Sequence, residues 1–179
     1  MHDFQVELKK YLHCCDNSQT HYEKGASFED LTCYAFESIP GIINVERDKK
    51  NVFGTEEIDL VFYNELLVYG LPSPAFPPYI FVECKNWSNK VSSIEISWFD
   101  TKLRSRGLDF GILVAANGIT GEPYLLTEGH SIIAKALSER RKIIVITRDE
   151  IEALTDERSF IRLLKMKQGK LLLTMTSLL

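Results

Sequence analysis

Tyr79-Ile80-Phe81-Val82 is apolar at four successive positions and passes directly into Glu83-Cys84-Lys85. Side chains along a strand alternate between the two sides of a sheet, so a strand apolar on both sides has to be covered on both. The segment reads as a buried central strand whose charges begin only at its end. Just before it, residues 70–78 hold Gly70 and four of the six prolines, Pro72, Pro74, Pro77 and Pro78. Such a stretch forms neither helix nor central strand, and it predicts a semi-rigid loop between two strands.

The remaining periodicity fits around that strand. Phe4, Leu8, Tyr11 and Leu12 predict an amphipathic helix over residues 3–13, with a polar break at Asp16-Asn17-Ser18-Gln19. Phe28, Leu31, Ala35 and Phe36 mark one face of a second helix, capped by Ser27 and ended by Pro40-Gly41. Strands follow at Ile42–Glu46 and Glu57–Phe62, on either side of a charged turn with Gly54. Beyond the central strand come a helix near 91–106, a strand at Phe110–Ala115, a helix near 123–140 and a strand at Lys142–Thr147. A short helix begins at Arg148, and a last one runs to Gly169 ahead of an apolar tail of Leu171, Leu172, Leu173, Met175, Leu178 and Leu179. Three strands in a meander, then alternating helices and strands, predict an α/β fold with a mixed sheet flanked by helices. One domain accommodates all 179 residues, with 1–20 as a helical appendage to 21–179.

A chain of this length buries roughly 70% of its unfolded surface and needs neither disulfide nor metal merely to fold. Its 45% hydrophobic and 26% charged residues exclude a disordered tail, a collagenous repeat and a small stapled scaffold. Apolar runs such as Ile143–Ile146 and Leu171–Leu173 fall far short of the ~20 residues of a membrane span. Met1-His2-Asp3-Phe4-Gln5 carries an early charge and no apolar signal core, and Cys14, Cys15, Cys33 and Cys84 are irregularly spaced. A reduced, cytoplasmic protein is expected, without zinc-like ligand pairs.

The net charge of −4 argues against indiscriminate coating of nucleic acid. Its distribution is uneven. Residues 1–60 hold six basic and twelve acidic side chains; Lys85, Lys90, Lys102, Arg104 and Arg106 face only Glu95 and Asp100 over 85–106. Lys135, Arg140, Arg141, Lys142 and Arg148 face only Glu139 over 135–148. Each basic cluster reads first as a solvated helix face; two of them flanking an acidic cluster also suit a phosphate backbone around a metal site.

Chemistry concentrates at Asp59 and Glu83-Cys84-Lys85. Alternation puts Glu83 and Lys85 on one face and Cys84 on the other, and an antiparallel neighbour brings Asp59 beside Glu83. Two carboxylates at the end of an apolar strand repel each other and lose solvation, which a divalent cation resolves. Carboxylate oxygens are ligands that Mg²⁺ accepts, and Lys85 then stands where it can orient or acidify a water attacking a phosphodiester.

At these residues the chain resembles the Mrr-like restriction endonucleases of the PD-(D/E)XK nuclease superfamily, over most of residues 22–150. Phe28-Glu29 resembles the helical Phe-Glu whose carboxylate assists metal binding; Ile58-Asp59 resembles the Ile-Asp whose aspartate is a metal ligand. Glu83-Cys84-Lys85-Asn86-Trp87 is similar to the Glu-Cys-Lys core, in which the glutamate binds metal, the middle residue offers its backbone carbonyl and the lysine is catalytic. Phe110–Val114 and Gly118-Ile119-Thr120-Gly121 resemble the strand and turn that follow the basic helix. The resemblance implies a restriction-endonuclease-like αβββαβ core and a metal-dependent DNA endonuclease acting in restriction or defence against foreign DNA. It implies Mg²⁺ (or Mn²⁺) on Asp59, Glu83, the Cys84 carbonyl and Glu29, with Lys85 catalytic, and contact of Lys90, Lys102, Arg104 and Arg106 with DNA. Three features depart from the pattern. Glu57 stands where the family has glycine, the Asp59–Glu83 connection is longer, and no separate DNA-reading domain fits in the chain. The Pro-rich loop is then a lid, a dimer contact or a recognition element.

Trp87 reads as packing against the following helix, with base stacking as the other option, and Trp98 and Phe99 read as core. Glu95 is either a solvated helix residue or a contact to the metal and its waters. His21 and His130 have no partner that the sequence places, and no phosphate-binding glycine loop is present. Two further functions stay open: a nuclease-fold DNA-binding module whose activity depends on a homodimer or on a separate recognition or regulatory protein, and a junction resolvase.

Overall fold

The computed structural model describes residues 3–50, 57–65 and 70–178. The predicted turn around Gly54, part of the loop after Asn64 and the last residue, Leu179, lie outside the described residues. The elements run α1 (Phe4–Asn17), α2 (His21–Glu37), β1 (Ile42–Lys50), β2 (Glu57–Asn64), β3 (Tyr79–Lys85), α3 (Ser93–Ser105), β4 (Phe110–Ala115), α4 (Glu128–Ser138), β5 (Lys142–Ile146), α5 (Arg148–Glu152) and α6 (Glu157–Thr174).

The five strands form one sheet in the order β1-β2-β3-β4-β5. β1–β2 and β2–β3 are antiparallel; β3–β4 and β4–β5 are parallel, as the helical crossovers α3 and α4 require. This is the α/β mixed sheet flanked by helices that the sequence predicts, in a restriction-endonuclease-like arrangement.

Two sets of side chains fix which helix covers which side. Phe36 of α2 stacks on Phe62 of β2 and meets Phe160 of α6 edge-on, so α2 and α6 share one side. On the other side α3 lies so close to β4 that a Cβ on Gly111 would come within 2.6 Å of Leu103 Cδ1 and 2.8 Å of Phe99 Cζ. β4, covered on both sides, is buried at all six positions. Burying a side chain such as Phe28, Phe36 or Phe62 contributes about 2–3 kcal/mol each, so the core between α2 and the sheet carries much of the stability.

Several boundaries differ from those expected. The cap of α2 is Thr20, whose side chain accepts from the Glu23 N–H while Glu23 accepts from the Thr20 N–H. Ser27 lies inside the helix, and its hydroxyl donates to the Lys24 carbonyl and pairs with Ser18. The helix predicted from residue 123 starts only at Glu128, because Leu126 and Glu128 take positive φ and the Glu122 N–H is closed onto Thr127 Oγ1. α6 runs through Gly169, since buried Phe160, Leu164, Gln168 and Leu171 continue one helical stripe past it. Trp98 is 62% exposed while Phe99 is 1% exposed, as a 100° step between neighbours demands. After α6 the chain covers the outer edge of β5, where the Val145 N–H donates to Ser177 Oγ.

Candidate active site

β2 and β3 are paired only as far as Leu60↔Val82. Beyond that pair the Cys84 N–H donates not to the β2 backbone but to Asp59 Oδ2, at 2.6 Å. The strands therefore part at their ends, and a side-chain carboxylate replaces the next ladder bond. Leu60 and Phe62 belong to the α2 side, so Asp59 is on the α3 side together with Glu83.

Glu83 is 3% exposed. Its Oε1 accepts from Lys85 Nζ at 2.9 Å on the same strand, and Lys102 Nζ of α3 stands 2.8 Å from Oε1 and 2.7 Å from Oε2. Lys102 reaches inward because Phe99 and Leu103, three residues before and one after it, are packed against the sheet. Lys85 Nζ also lies over the Trp87 ring, 5.6 Å from its centroid, and that ring is 41% exposed. The turn carrying Trp87 is pinned at both ends: Asn86 donates to the Lys24 carbonyl of α2, and Asn117 donates to the Trp87 carbonyl.

The electrostatics follow from crowding. Burial raises Asp59 first, and the Glu83 charge raises it further; the Cys84 N–H, Lys85 and Lys102 pull back, leaving it at about 6. Burial alone would lower Lys85, but the Glu83 carboxylate, with Asp59 and Glu95 behind it, more than offsets this and holds the ammonium above the usual lysine range. Lys85 is therefore a cation at neutral pH. Cys84 points to the opposite side, where its thiol lies 3.7 Å from Thr32 Oγ1 of α2, and burial followed by the Asp59 charge pushes it well up.

Of the residues the sequence nominates, Asp59, Glu83 and Lys85 come together, with the Cys84 backbone against them. Glu29 stands on α2, on the Cys84 side, and its charge adds to the upward shift of that thiol. Glu95, in the first turn of α3, acts on Lys85 through its charge. Lys102, nominated as a DNA contact, is bound to Glu83 instead. Arg104 leans 3.5 Å from Asp100, Arg106 closes α3 by donating to the Lys102 carbonyl, and Lys90 is exposed beside the turn. His130 shares a 2.7 Å hydrogen bond with Thr176 Oγ1, a partner from the segment after α6.

Lys102 is the site residue that sequence reasoning placed elsewhere. Its signal was spacing: Glu95, Phe99 and Lys102 fall on one stripe of α3, so a buried Phe99 brings both charges toward the sheet.

The donor set suits a hard cation. Two carboxylates and a backbone carbonyl are oxygen ligands of the kind Mg²⁺ takes, and Mg²⁺ sites commonly use one or two carboxylates with water and substrate completing the shell. Among the described residues, no three or more His, Cys, Asp or Glu side chains come together in a group that could hold a metal ion, so Glu29 does not join Asp59 and Glu83 in one. The neighbouring carboxylates, one raised by the other, supply the repulsion that such an ion relieves.

Sheet order, crossover pattern and the carboxylate-lysine cluster where β2 and β3 part define a nuclease of the restriction-endonuclease-like class. The model of the restriction endonuclease family Mrr_cat matches residues 22–155, and the chain belongs to that family. No curated protein and no solved structure matches the chain. The family is one of DNA-binding nucleases that generally use a divalent metal. No helix among the described residues is long and apolar enough to cross a membrane.

Proposed function

We propose that this chain is an endodeoxyribonuclease that hydrolyses phosphodiester bonds with the help of Mg²⁺ or Mn²⁺, in restriction of foreign DNA. The observation that carries this is the juxtaposition of Asp59 and Glu83 on one sheet face, with Lys85 bonded to the same glutamate. Asp59, Glu83 and the Cys84 carbonyl would hold the cation, without Glu29, which stands on the Cys84 side. A divalent ion bound there would stabilise negative charge on the phosphate and lower the pKa of a bound water.

The chain's own residues do the rest. Lys85, held on Glu83 beside the carboxylates, would donate hydrogen bonds that orient the attacking water and stabilise the oxyanion as charge builds on it. The Trp87 face and Glu83 Oε1 fix its ammonium from two directions. Asp59 is held by the Cys84 N–H, so its free oxygen keeps one orientation. Lys90, Arg104 and Arg106 lie on the loop and helix next to the site and would meet the DNA backbone.

The test is cleavage of supercoiled and linear plasmid, methylated and unmethylated, with Mg²⁺ or Mn²⁺, by wild type and Asp59→Ala. Cleavage by wild type that vanishes in the variant is expected. Clear DNA binding with no cleavage under any condition would overturn the proposal in favour of a partner-dependent binding role.

A further inference from the structure

Glu83 is claimed twice over. Lys85 occupies Oε1, and Lys102 spans both oxygens at 2.8 and 2.7 Å, with its side chain 16% exposed and that of Glu83 4%. One ammonium neutralises one carboxylate. The second balances Asp59, so Asp59, Glu83, Lys85 and Lys102 sum to zero charge with no ion present. A dication added to that cluster leaves it doubly positive in a site sheltered from water, unless an ammonium withdraws.

The two lysines are not equally free to go. Lys85 belongs to the same strand as Glu83 and is held from behind by the Trp87 ring. Lys102 belongs to a different element, and its long stem starts on α3, whose neighbouring residues Thr101, Arg104 and Ser105 lie toward solvent. Rotation about the side-chain bonds carries its head from Glu83 to the helix surface without moving the backbone. Lys102 also covers both oxygens that a cation would need, whereas Lys85 covers one.

We propose that Lys102 is a built-in competitor for the cation: its ammonium occupies Glu83 in the ion-free protein and has to be displaced before the site loads. Lys102 is thus a positioning residue that sets the cation concentration at which the site fills. This rests on the proposed function of the same site.

The experiment is a Mn²⁺ titration of the full chain without DNA, followed by calorimetry or by the electron paramagnetic resonance of free Mn²⁺. Wild type, Lys102→Met, Lys102→Gln and Lys102→Arg are compared. Losing a charge-assisted hydrogen bond that competes with the ion should tighten Mn²⁺ binding about tenfold or more in Lys102→Met and Lys102→Gln. Lys102→Arg keeps a cation on Glu83 and should stay close to wild type, which a lysine of merely structural value would not predict. Lys102→Gln retains a donor for Glu83, so it guards against a folding defect in Lys102→Met. Adding Asp59→Ala to Lys102→Gln should abolish the tight binding and so locate it. Equal affinity in wild type and both neutral variants would overturn the role of Lys102 and leave the nuclease reading standing. No Mn²⁺ binding by any variant would overturn both.

Discussion

Asp59→Asn should stabilise the ion-free protein while removing its chemistry. Burial, then the Glu83 charge, raises Asp59 from 3.8 to about 6 despite the Cys84 N–H and two lysines. At about 1.4 kcal/mol per tenfold of proton affinity, holding that charge in the fold costs about 3 kcal/mol at neutral pH. Asparagine keeps an oxygen for the Cys84 N–H, and the stronger bond of that N–H to the charged form is already included in the net shift. The gain is therefore about 3 kcal/mol, or about 6–12 °C in Tm for a chain of this size. Its sign with pH is fixed. Folded Asp59 binds its proton more tightly than unfolded Asp59, so wild type loses stability as pH rises from about 4 to about 6. The penalty is complete above that window and absent below it. Urea or thermal unfolding in EDTA at pH 4, 5, 6 and 7.5 should therefore show the Asp59→Asn advantage widest at pH 7.5 and closing toward pH 4. Excess Mg²⁺ or Mn²⁺ should raise the stability of wild type and leave the variant unmoved. A variant less stable than wild type at pH 7.5, or an advantage constant with pH, would refute the account of Asp59 as a desolvated, repelled carboxylate.

Two other outcomes follow from the same contacts. Lys85→Ala should abolish plasmid cleavage with the fold and DNA binding nearly intact, because Lys102 still neutralises Glu83; circular dichroism and gel-shift assays alongside cleavage check this, and surviving cleavage removes Lys85 from the mechanism. Gly111→Ala should cost about 1–3 kcal/mol in urea unfolding, since its methyl would meet Leu103 and Phe99 inside 3 Å and push α3 off β4.

β3 and β4 have the bounds that their apolar runs predict; β4 is buried at every position, whereas the cover of β3 alternates, with Tyr79 52% exposed and the charged Glu83 buried beneath α3. The pairing of Asp59 with Glu83 follows from alternation and antiparallel order alone. What stays hidden is set by contacts distant in sequence or by competition between local options. Ser27 is the cap expected for α2, and the reciprocal bonds between Thr20 and Glu23 start the helix seven residues earlier. Gly169 looks like a helix end, yet packing of Leu164 and Leu171 carries α6 past it. His130 finds its partner 46 residues away in Thr176, which no local pattern announces. Lys102, in a basic segment, reads as a phosphate contact, and the seating of Phe99 turns it onto Glu83 in this structure.

The same lesson applies to charge as a guide to DNA. In the segment 135–148, Arg141 is buried on Asp100 and also bonded to Glu139, and Arg148 ties α5 to Asp16 of α1. Those cations hold elements together and are not offered to a phosphate backbone. In the segment 85–106, Lys85 and Lys102 are spent on Glu83, and Arg104 leans on Asp100. Linear charge density thus overstates the field that DNA meets, in a chain whose net charge is already −4. Asp59, Glu83, Lys85 and Lys102 by themselves sum to no net charge, and Glu95 adds a negative charge near Lys85. In the proposed nuclease, filling of Asp59 and Glu83 by a dication would bring the positive charge that a phosphate needs, and the residue linking the two events would be the lysine lying across both oxygens of Glu83.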